Sequence, residues 1–212
     1  MTKPHLALTR TAFLRVAVTL LPLFFALLLT FFLPSASWGQ NLGGRVLEKA
    51  PAGTPAPQAI WLRENGESVN LSDFRGRVVL LNFWATWCGP CVIEMPDLDA
   101  LAKKYRRAGL EVVAVSLDEK GPETIRPFYR KHSLNHLAIY HDGQEAARTF
   151  GVRTMPTTYL IDREGLLMGH VPGFAHWQSP ALEKHIQAAL KKGYRPDHYP
   201  GFMKRPVKGL ND

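Results

Sequence analysis

The stretch that decides the fold is Val78-Val79-Leu80-Leu81-Asn82-Phe83-Trp84-Ala85-Thr86-Trp87-Cys88-Gly89-Pro90-Cys91, in a chain of 212 residues. Its first seven residues are nearly all apolar, which is typical of a strand that is covered on both faces of a sheet. A helical pattern begins at Pro90, a residue that suits the first turn because its missing N–H has no partner there. The Cys-x-x-Cys unit is therefore predicted at a strand-to-helix junction.

The chain has two cysteines, and both belong to this unit. A helix N-terminus carries unpaired N–H groups and a partial positive charge, so it lowers the pKa of a thiol placed there. Cys88 is expected at the accessible mouth of the helix, and Cys91 one turn inward within disulfide reach. This order predicts thiol–disulfide exchange, in which Cys88 attacks a substrate disulfide and Cys91 displaces the reduced substrate.

Three other interpretations of the cysteine pair stay open. A structural disulfide is one, although it would close only a two-residue loop. Half of a metal site is the second, although His132, His136 and His141 show no ligand spacing to the pair. Inert core thiols are the third, and the exposed position expected for the pair argues against them.

The composition is that of a globular protein, with 46% hydrophobic and 21% charged residues. Two cysteines exclude a disulfide-rich scaffold and a four-cysteine zinc site. The net charge of +8 suggests a nucleic-acid or membrane partner. We expect no nucleic-acid partner, because no dense Lys/Arg patch with interleaved aromatic residues is present.

Residues 1–37 are predicted to be a secretory signal or a membrane anchor. Lys3, Arg10 and Arg15 precede the uncharged stretch 16–33, and small residues follow it. Eighteen helical residues span about 27 Å, close to a bilayer core of roughly 30 Å, so cleavage and anchoring both stay open. The preceding positive charges direct the remainder of the chain to the periplasm or another extracytoplasmic space.

The remaining chain divides into a linker over 38–59, a domain over 60–192 and an irregular basic tail over 193–212. Asn65-Gly66 predicts a hairpin turn near the start of the domain. Strands and helices then alternate, which predicts an α/β fold with a mixed sheet and helices on both faces. Strands are predicted over 60–63, 68–71, 78–84, 110–116, 137–140, 157–162 and 166–171, and helices over 90–107, 122–132, 144–150 and 180–191.

Four motifs over about residues 55–192 resemble the thioredoxin superfamily, and in particular its exported TlpA/ResA-like branch, which includes the cytochrome c maturation thioredoxins. The resemblance implies a thioredoxin fold with an N-terminal hairpin and with an inserted helix-strand segment over 119–138. The motifs are Phe83 to Cys91 followed by Glu94-Met95-Pro96, Leu71 to Arg77, Gly151 to Thr158, and Leu160 to Gly165.

The resemblance also implies roles for individual residues. Cys88 becomes the nucleophile and Cys91 the resolving thiol. Pro156 is implied to be a cis proline packed against the disulfide, whereas the residues alone favour an ordinary edge-strand proline. The backbone of Met155 is then free to pair with an extended substrate segment.

Further contacts with substrate are implied for the surroundings of the cysteines. Trp87, Gly89 and Pro90 are expected to touch substrate, with Trp87 also shielding the disulfide. Trp84 is expected to pack in the interior.

One position departs from thioredoxin itself. The buried acid of thioredoxin is replaced by Asn82, and exported relatives place a glutamate where this chain has Glu94. Glu94 lies three residues after Cys91, on the same helix face, so the resemblance implies that it carries a proton or tunes the thiol pKa values. The alternative is a solvated first-turn acid that is favoured by the helix dipole.

The resulting expectation is an exported thiol-disulfide oxidoreductase without cofactor or metal, working as a reductant in an oxidising compartment. Its expected partners are disulfide-bearing proteins in cytochrome c or copper-site maturation, and a membrane thiol carrier as electron donor. An oxidant or isomerase is the alternative among enzymes, although Gly-Pro between the cysteines argues against it. A copper chaperone is the alternative in another class, although its cysteines are generally spaced by three residues.

Overall fold

The computed structural model describes residues 46–192. The predicted signal or anchor over 1–37 and the predicted tail over 193–212 lie outside the described residues. Within 46–192, no helix is both long enough and apolar enough to cross a membrane.

Eight strands and four α-helices make up the described fold. The strands are Glu48–Lys49 (β1), Ile60–Arg63 (β2), Ser68–Asn70 (β3), Val78–Trp84 (β4), Leu110–Ser116 (β5), Tyr140–His141 (β6), Thr157–Ile161 (β7) and Leu167–Pro172 (β8). The helices are Gly89–Tyr105 (α1), Pro122–Lys131 (α2), Glu145–Thr149 (α3) and Pro180–Lys191 (α4), with 3-10 turns at Leu71–Phe74 and Arg106–Ala108.

The strands form one mixed sheet in the order β1-β8-β7-β4-β5-β6-β2-β3. β4 lies near its centre, parallel to β5 and antiparallel to β7. The predicted mixed α/β sheet is confirmed, and so is the hairpin of β2 and β3.

The strand β4 is buried along its whole length because its two faces enter different hydrophobic clusters. Leu80 and Trp84 belong to the cluster that also contains the cysteines and the buried side of α1. Leu81 and Phe83 belong to the cluster on the other face. Alternating side chains point to opposite faces of a strand, so the polar residue Asn82 lies on the face of Leu80 and Trp84.

The structure differs from the expected linker over 38–59 in the part that it describes. β1 pairs with β8 through Glu48 and His170, and Leu47 and Ala56 are buried. The Pro- and Gly-rich composition suggested a linker, but the segment lies along the sheet edge and pairs with it.

Some predicted bounds are also wrong. Of the strand predicted over 137–140, only Tyr140 pairs, together with His141. The helix predicted over 90–107 ends at Tyr105 and tightens into a 3-10 turn, which stops at Gly109 in the left-handed conformation with φ of 98°.

Candidate active site

The two cysteines lie at the junction where β4 leads into α1. Cys88 is the N-cap of α1, and its Sγ accepts the backbone N–H of Cys91 at 3.3 Å. A disulfide joins Cys88 to Cys91. The predicted position of the pair and its disulfide reach are both confirmed.

The two cysteines differ in exposure, in the predicted order. Cys88 is 6% exposed and Cys91 is fully buried, while Gly89 and Pro90 between them are exposed. Cys88 is less accessible than expected, because its sulfur turns inward to cap the helix. A partner would therefore approach over Gly89 and Pro90 and reach the outer sulfur first.

The loop before Cys88 is fastened to the end of β5. Asp118 accepts the backbone N–H of Thr86 at 2.9 Å and its hydroxyl at 2.6 Å. Ser116 donates its hydroxyl to the same carboxylate at 2.6 Å. Sequence reasoning missed Asp118, because only the parallel pairing of β4 and β5 brings it to the loop.

The two tryptophans of the motif have opposite environments. Trp84 is buried and packs against the rings of Phe128 and Tyr129 in α2, as predicted. Trp87 is 68% exposed, and Ile93 in α1 is 66% exposed. The contact of Trp87 with substrate stays a prediction, and its exposed position leaves the ring accessible to a partner.

The peptide bond between Met155 and Pro156 is cis, as the resemblance implied. Met155 packs against the cluster that contains both cysteines. The carbonyl of Pro156 accepts the N–H of Gly173 at 2.7 Å. Among residues 46–192, no hydrogen bond engages the N–H or C=O of Met155, so its backbone is available for pairing with an added strand.

Glu94 is 1% exposed, which excludes the alternative of a solvated first-turn acid. Its Oε1 accepts the side-chain N–H of Asn82 at 2.8 Å. Its Oε2 accepts the backbone N–H of Ala175 at 3.1 Å and the indole N–H of Trp177 at 3.3 Å. Sequence reasoning missed Ala175 and Trp177, which lie between β8 and α4.

Burial raises the pKa of Glu94 to about 8, even though the hydrogen bonds from Ala175, Asn82 and Trp177 oppose the shift. The carboxyl is therefore mainly protonated at neutral pH. The sequence-based expectation that an ionised Glu94 acts on the thiols consequently applies only near and above pH of about 8.

The sequence profile of the AhpC/TSA family matches residues 52–169. The thiol-disulfide oxidoreductase ResA of Bacillus anthracis is 35% identical over 145 residues, which are 68% of this chain and 80% of that protein.

Solved structures agree with the sequence comparison. A thiol:disulfide interchange protein DsbE from Chlorobium tepidum superposes with a TM-score of 0.59 at 37% identity, covering 68% of this chain and 99% of that one. The exposed lipoprotein thioredoxin Etrx1 from Streptococcus pneumoniae superposes with a TM-score of 0.51 at 30% identity, covering 63% of this chain and 98% of that one.

The fold and the disulfide at the start of α1 define a thiol-disulfide oxidoreductase of the thioredoxin type, which works by dithiol–disulfide exchange through Cys88 and Cys91. The chain belongs to the AhpC/TSA family.

Proposed function

We propose that this oxidoreductase works as a reductant of protein disulfides outside the cytoplasm. The observation that carries the proposal is the buried carboxyl of Glu94, one helical turn after Cys91. Oxidising power in dithiol proteins tracks stabilisation of the reduced, thiolate-bearing form. An acid beside the thiols withholds that stabilisation to the extent that it is ionised, because a second negative charge is disfavoured there. This contribution of Glu94 is therefore small at neutral pH and grows as the pH approaches and passes about 8.

The exchange proceeds in two balanced steps. The Cys88 thiolate attacks one sulfur of the substrate disulfide, and the other substrate sulfur leaves as a thiolate that takes up a proton. Cys91 then gives up its proton and attacks the Cys88 sulfur, which releases the second substrate sulfur. Two electrons pass to the substrate, and the Cys88–Cys91 disulfide forms.

Four groups surrounding the disulfide have proposed roles in these steps. Glu94 receives or returns the proton of Cys91, since both are buried on one face of α1. The free backbone of Met155 pairs with an extended substrate segment, and Pro156 fixes the position of that backbone. Trp87 covers the mixed disulfide and contacts the substrate from its exposed position.

The proposed substrates are oxidised cysteine pairs of apocytochrome c or of copper-site assembly proteins. The chain resembles proteins named ResA and DsbE, and that likeness supports an extracytoplasmic role. A reductant in such a compartment needs its own electron supply, so we propose a membrane thiol carrier as the donor.

The proposed location is the periplasmic or outer face of the cytoplasmic membrane. Its support is the basic start and the uncharged stretch 16–33. Fractionation of the native protein tests this location. A membrane-bound protein that begins at Met1 supports a membrane anchor. An N-terminus at Trp38 or Gln40 indicates a cleaved signal and contradicts the anchor.

A reduction assay tests the proposed direction. The reduced full chain is mixed with an oxidised peptide that carries a haem-attachment cysteine pair, and the free thiols of the peptide are counted. The proposal expects reduction of the peptide, and no reduction with Cys88→Ser. Oxidation of the reduced peptide by the disulfide form, without the reverse reaction, contradicts it.

A further inference from the structure

A buried amide oxygen beside Glu94 lacks a hydrogen-bond partner. Asn82 is fully buried, and its Nδ2 donates to Glu94 Oε1 and to Thr158 Oγ1, at 2.8 Å each. Its Oδ1 has no hydrogen-bond partner among the described residues. Buried polar atoms are nearly always paired, so this orphan acceptor in the middle of a polar cluster needs an explanation.

The other partners of Glu94 determine where its proton would lie. Oε2 already accepts two N–H groups, from Ala175 and Trp177. A backbone amide and an indole N–H donate and never accept, so neither can receive a proton from the carboxyl. The proton is therefore expected on Oε1. That oxygen faces the Nδ2 of Asn82, which is also a donor.

We propose that the side-chain amide of Asn82 turns over when Glu94 takes up a proton, and that Asn82 and Thr158 are positioning residues for this carboxyl. In the turned orientation, Oδ1 accepts the O–H of Glu94. It also accepts the hydroxyl of Thr158, because a hydroxyl can donate as well as accept. Oδ1 gains two donors in this orientation, while Nδ2 takes the position that Oδ1 leaves and gives up its hydrogen bonds to Glu94 and Thr158.

In the orientation seen in the structure, Nδ2 donates to both Glu94 and Thr158. This arrangement suits the ionised carboxylate, which only accepts. Asn82 can therefore offer the Glu94 carboxyl a hydrogen-bond partner in both protonation states, as a donor to the carboxylate and as an acceptor from the protonated acid.

Among the described residues, the charged side chain that acts on Glu94 is Asp97, which raises its pKa. Asn82 from β4, Thr158 from β7 and Trp177 carry no charge. Cys88 and Cys91 do not titrate while they form a disulfide, so in the oxidised protein the amide responds to the Glu94 proton alone.

The test is nuclear magnetic resonance of the oxidised full chain at pH values about two units below and above 8, the value to which the pKa of Glu94 is raised. Nuclear Overhauser contacts join the Asn82 amide protons to the Thr158 methyl group when Nδ2 faces Thr158. We expect strong contacts at the high pH and their loss at the low pH, with the same midpoint as the Glu94 carboxyl carbon. Contacts of equal strength at both pH values overturn the proposal.

Glu94→Gln is the matched control. Its amide oxygen can keep the donors from Ala175 and Trp177, so its NH₂ faces Asn82 and holds the Asn82 amide in the turned orientation. The contacts should then be absent at both pH values, and contacts as strong as those of the alkaline wild type overturn the proposal. If this variant does not fold, the wild-type comparison decides alone.

The inference rests on the proton role proposed for Glu94, but its test uses no substrate. If the amide contacts are the same at both pH values, the proposed turning of Asn82 is wrong, and the outcome of the reduction assay is not affected. Failure of the reduction assay overturns the proposed direction, whatever the amide does.

Discussion

The indole Nε1 of Trp177 lies 3.3 Å from Oε2 of Glu94, so the segment between β8 and α4 donates a hydrogen bond to a carboxyl of the active-site helix. Ala175 in the same segment donates to the same oxygen. These donors favour the ionised form of Glu94 and thereby limit how far burial raises its pKa.

Trp177→Phe removes the indole N–H and keeps an aromatic ring in place. We expect the pKa of Glu94 to rise by about one unit, because a hydrogen bond to a charged group contributes about 1.5 kcal/mol or more. The carboxyl carbon of Glu94, followed by nuclear magnetic resonance in the oxidised protein, measures this shift.

Trp61→Phe is the matched control for that experiment. The indole nitrogen of Trp61 is buried and has no hydrogen-bond partner among the described residues, and its ring lies in the cluster on the other face of the sheet. The pKa of Glu94 should stay unchanged in this variant. Equal shifts in the two variants would show that the effect of Trp177 is not the lost hydrogen bond.

The buried carboxyl also predicts a pH dependence of stability. The pKa of Glu94 is raised from 4.5 to about 8 on folding, so the folded protein holds this proton over a range in which the unfolded chain has released it. The contribution of Glu94 to the free energy of unfolding is therefore at its maximum below a pH of about 4.5, and it decreases as the pH rises to about 8. The loss is on the order of 3–5 kcal/mol as an upper bound.

Denaturant unfolding of the oxidised wild type and of Glu94→Gln measures that dependence. The difference in unfolding free energy between them should move in favour of the variant as the pH rises through this window, and level off above it. Parallel curves at all pH values would contradict a buried, titrating Glu94.

The two cysteines should differ sharply when each is replaced. Cys88→Ser should abolish disulfide reduction, because the outer, attacking sulfur is lost. Cys91→Ser should accumulate mixed disulfides with substrate, because the buried resolving thiol is lost. Alkylation of the reduced wild type, read by mass spectrometry, tests the assignment, and faster labelling of Cys91 than of Cys88 contradicts it.

Glu94→Gln should also change the redox couple. The ionised carboxylate disfavours a nearby thiolate, so its removal should lower the thiol pKa values and make the couple more oxidising. The expected shift is tens of millivolts, since about 30 mV corresponds to a tenfold change in equilibrium constant. The shift should grow above pH of about 8, where Glu94 ionises. An unchanged potential across that range would remove Glu94 from the thiol chemistry.

The sequence predicted the elements whose patterns are local. The bounds of β4 and α4 agree with the prediction, because an unbroken apolar run and a helical period with Ser179 before it are read from neighbouring residues. The junction that carries Cys88 and Cys91 followed from the same patterns. Pro156 as a cis proline followed only from the resemblance.

The sequence did not predict the contacts between residues that are far apart along the chain. One of these contacts is the pairing of β1 with β8 at the sheet edge, and another is the hydrogen bond from Thr86 to Asp118. Neither contact is indicated by the composition of the segments that it joins. The donors to Glu94 come from Asn82, Ala175 and Trp177, at 12, 81 and 83 residues away. An acid near a helix start looks solvated in sequence, and only packing against these segments buries it.

The equilibrium potential of the Cys88–Cys91 couple against glutathione at neutral pH tests the central claim most directly. A reductant should lie nearer to the thioredoxin value of about −270 mV than to the strong-oxidant value of about −120 mV. A measured potential near the former supports the reducing role. A potential above about −180 mV, the value of protein disulfide isomerase, would contradict it.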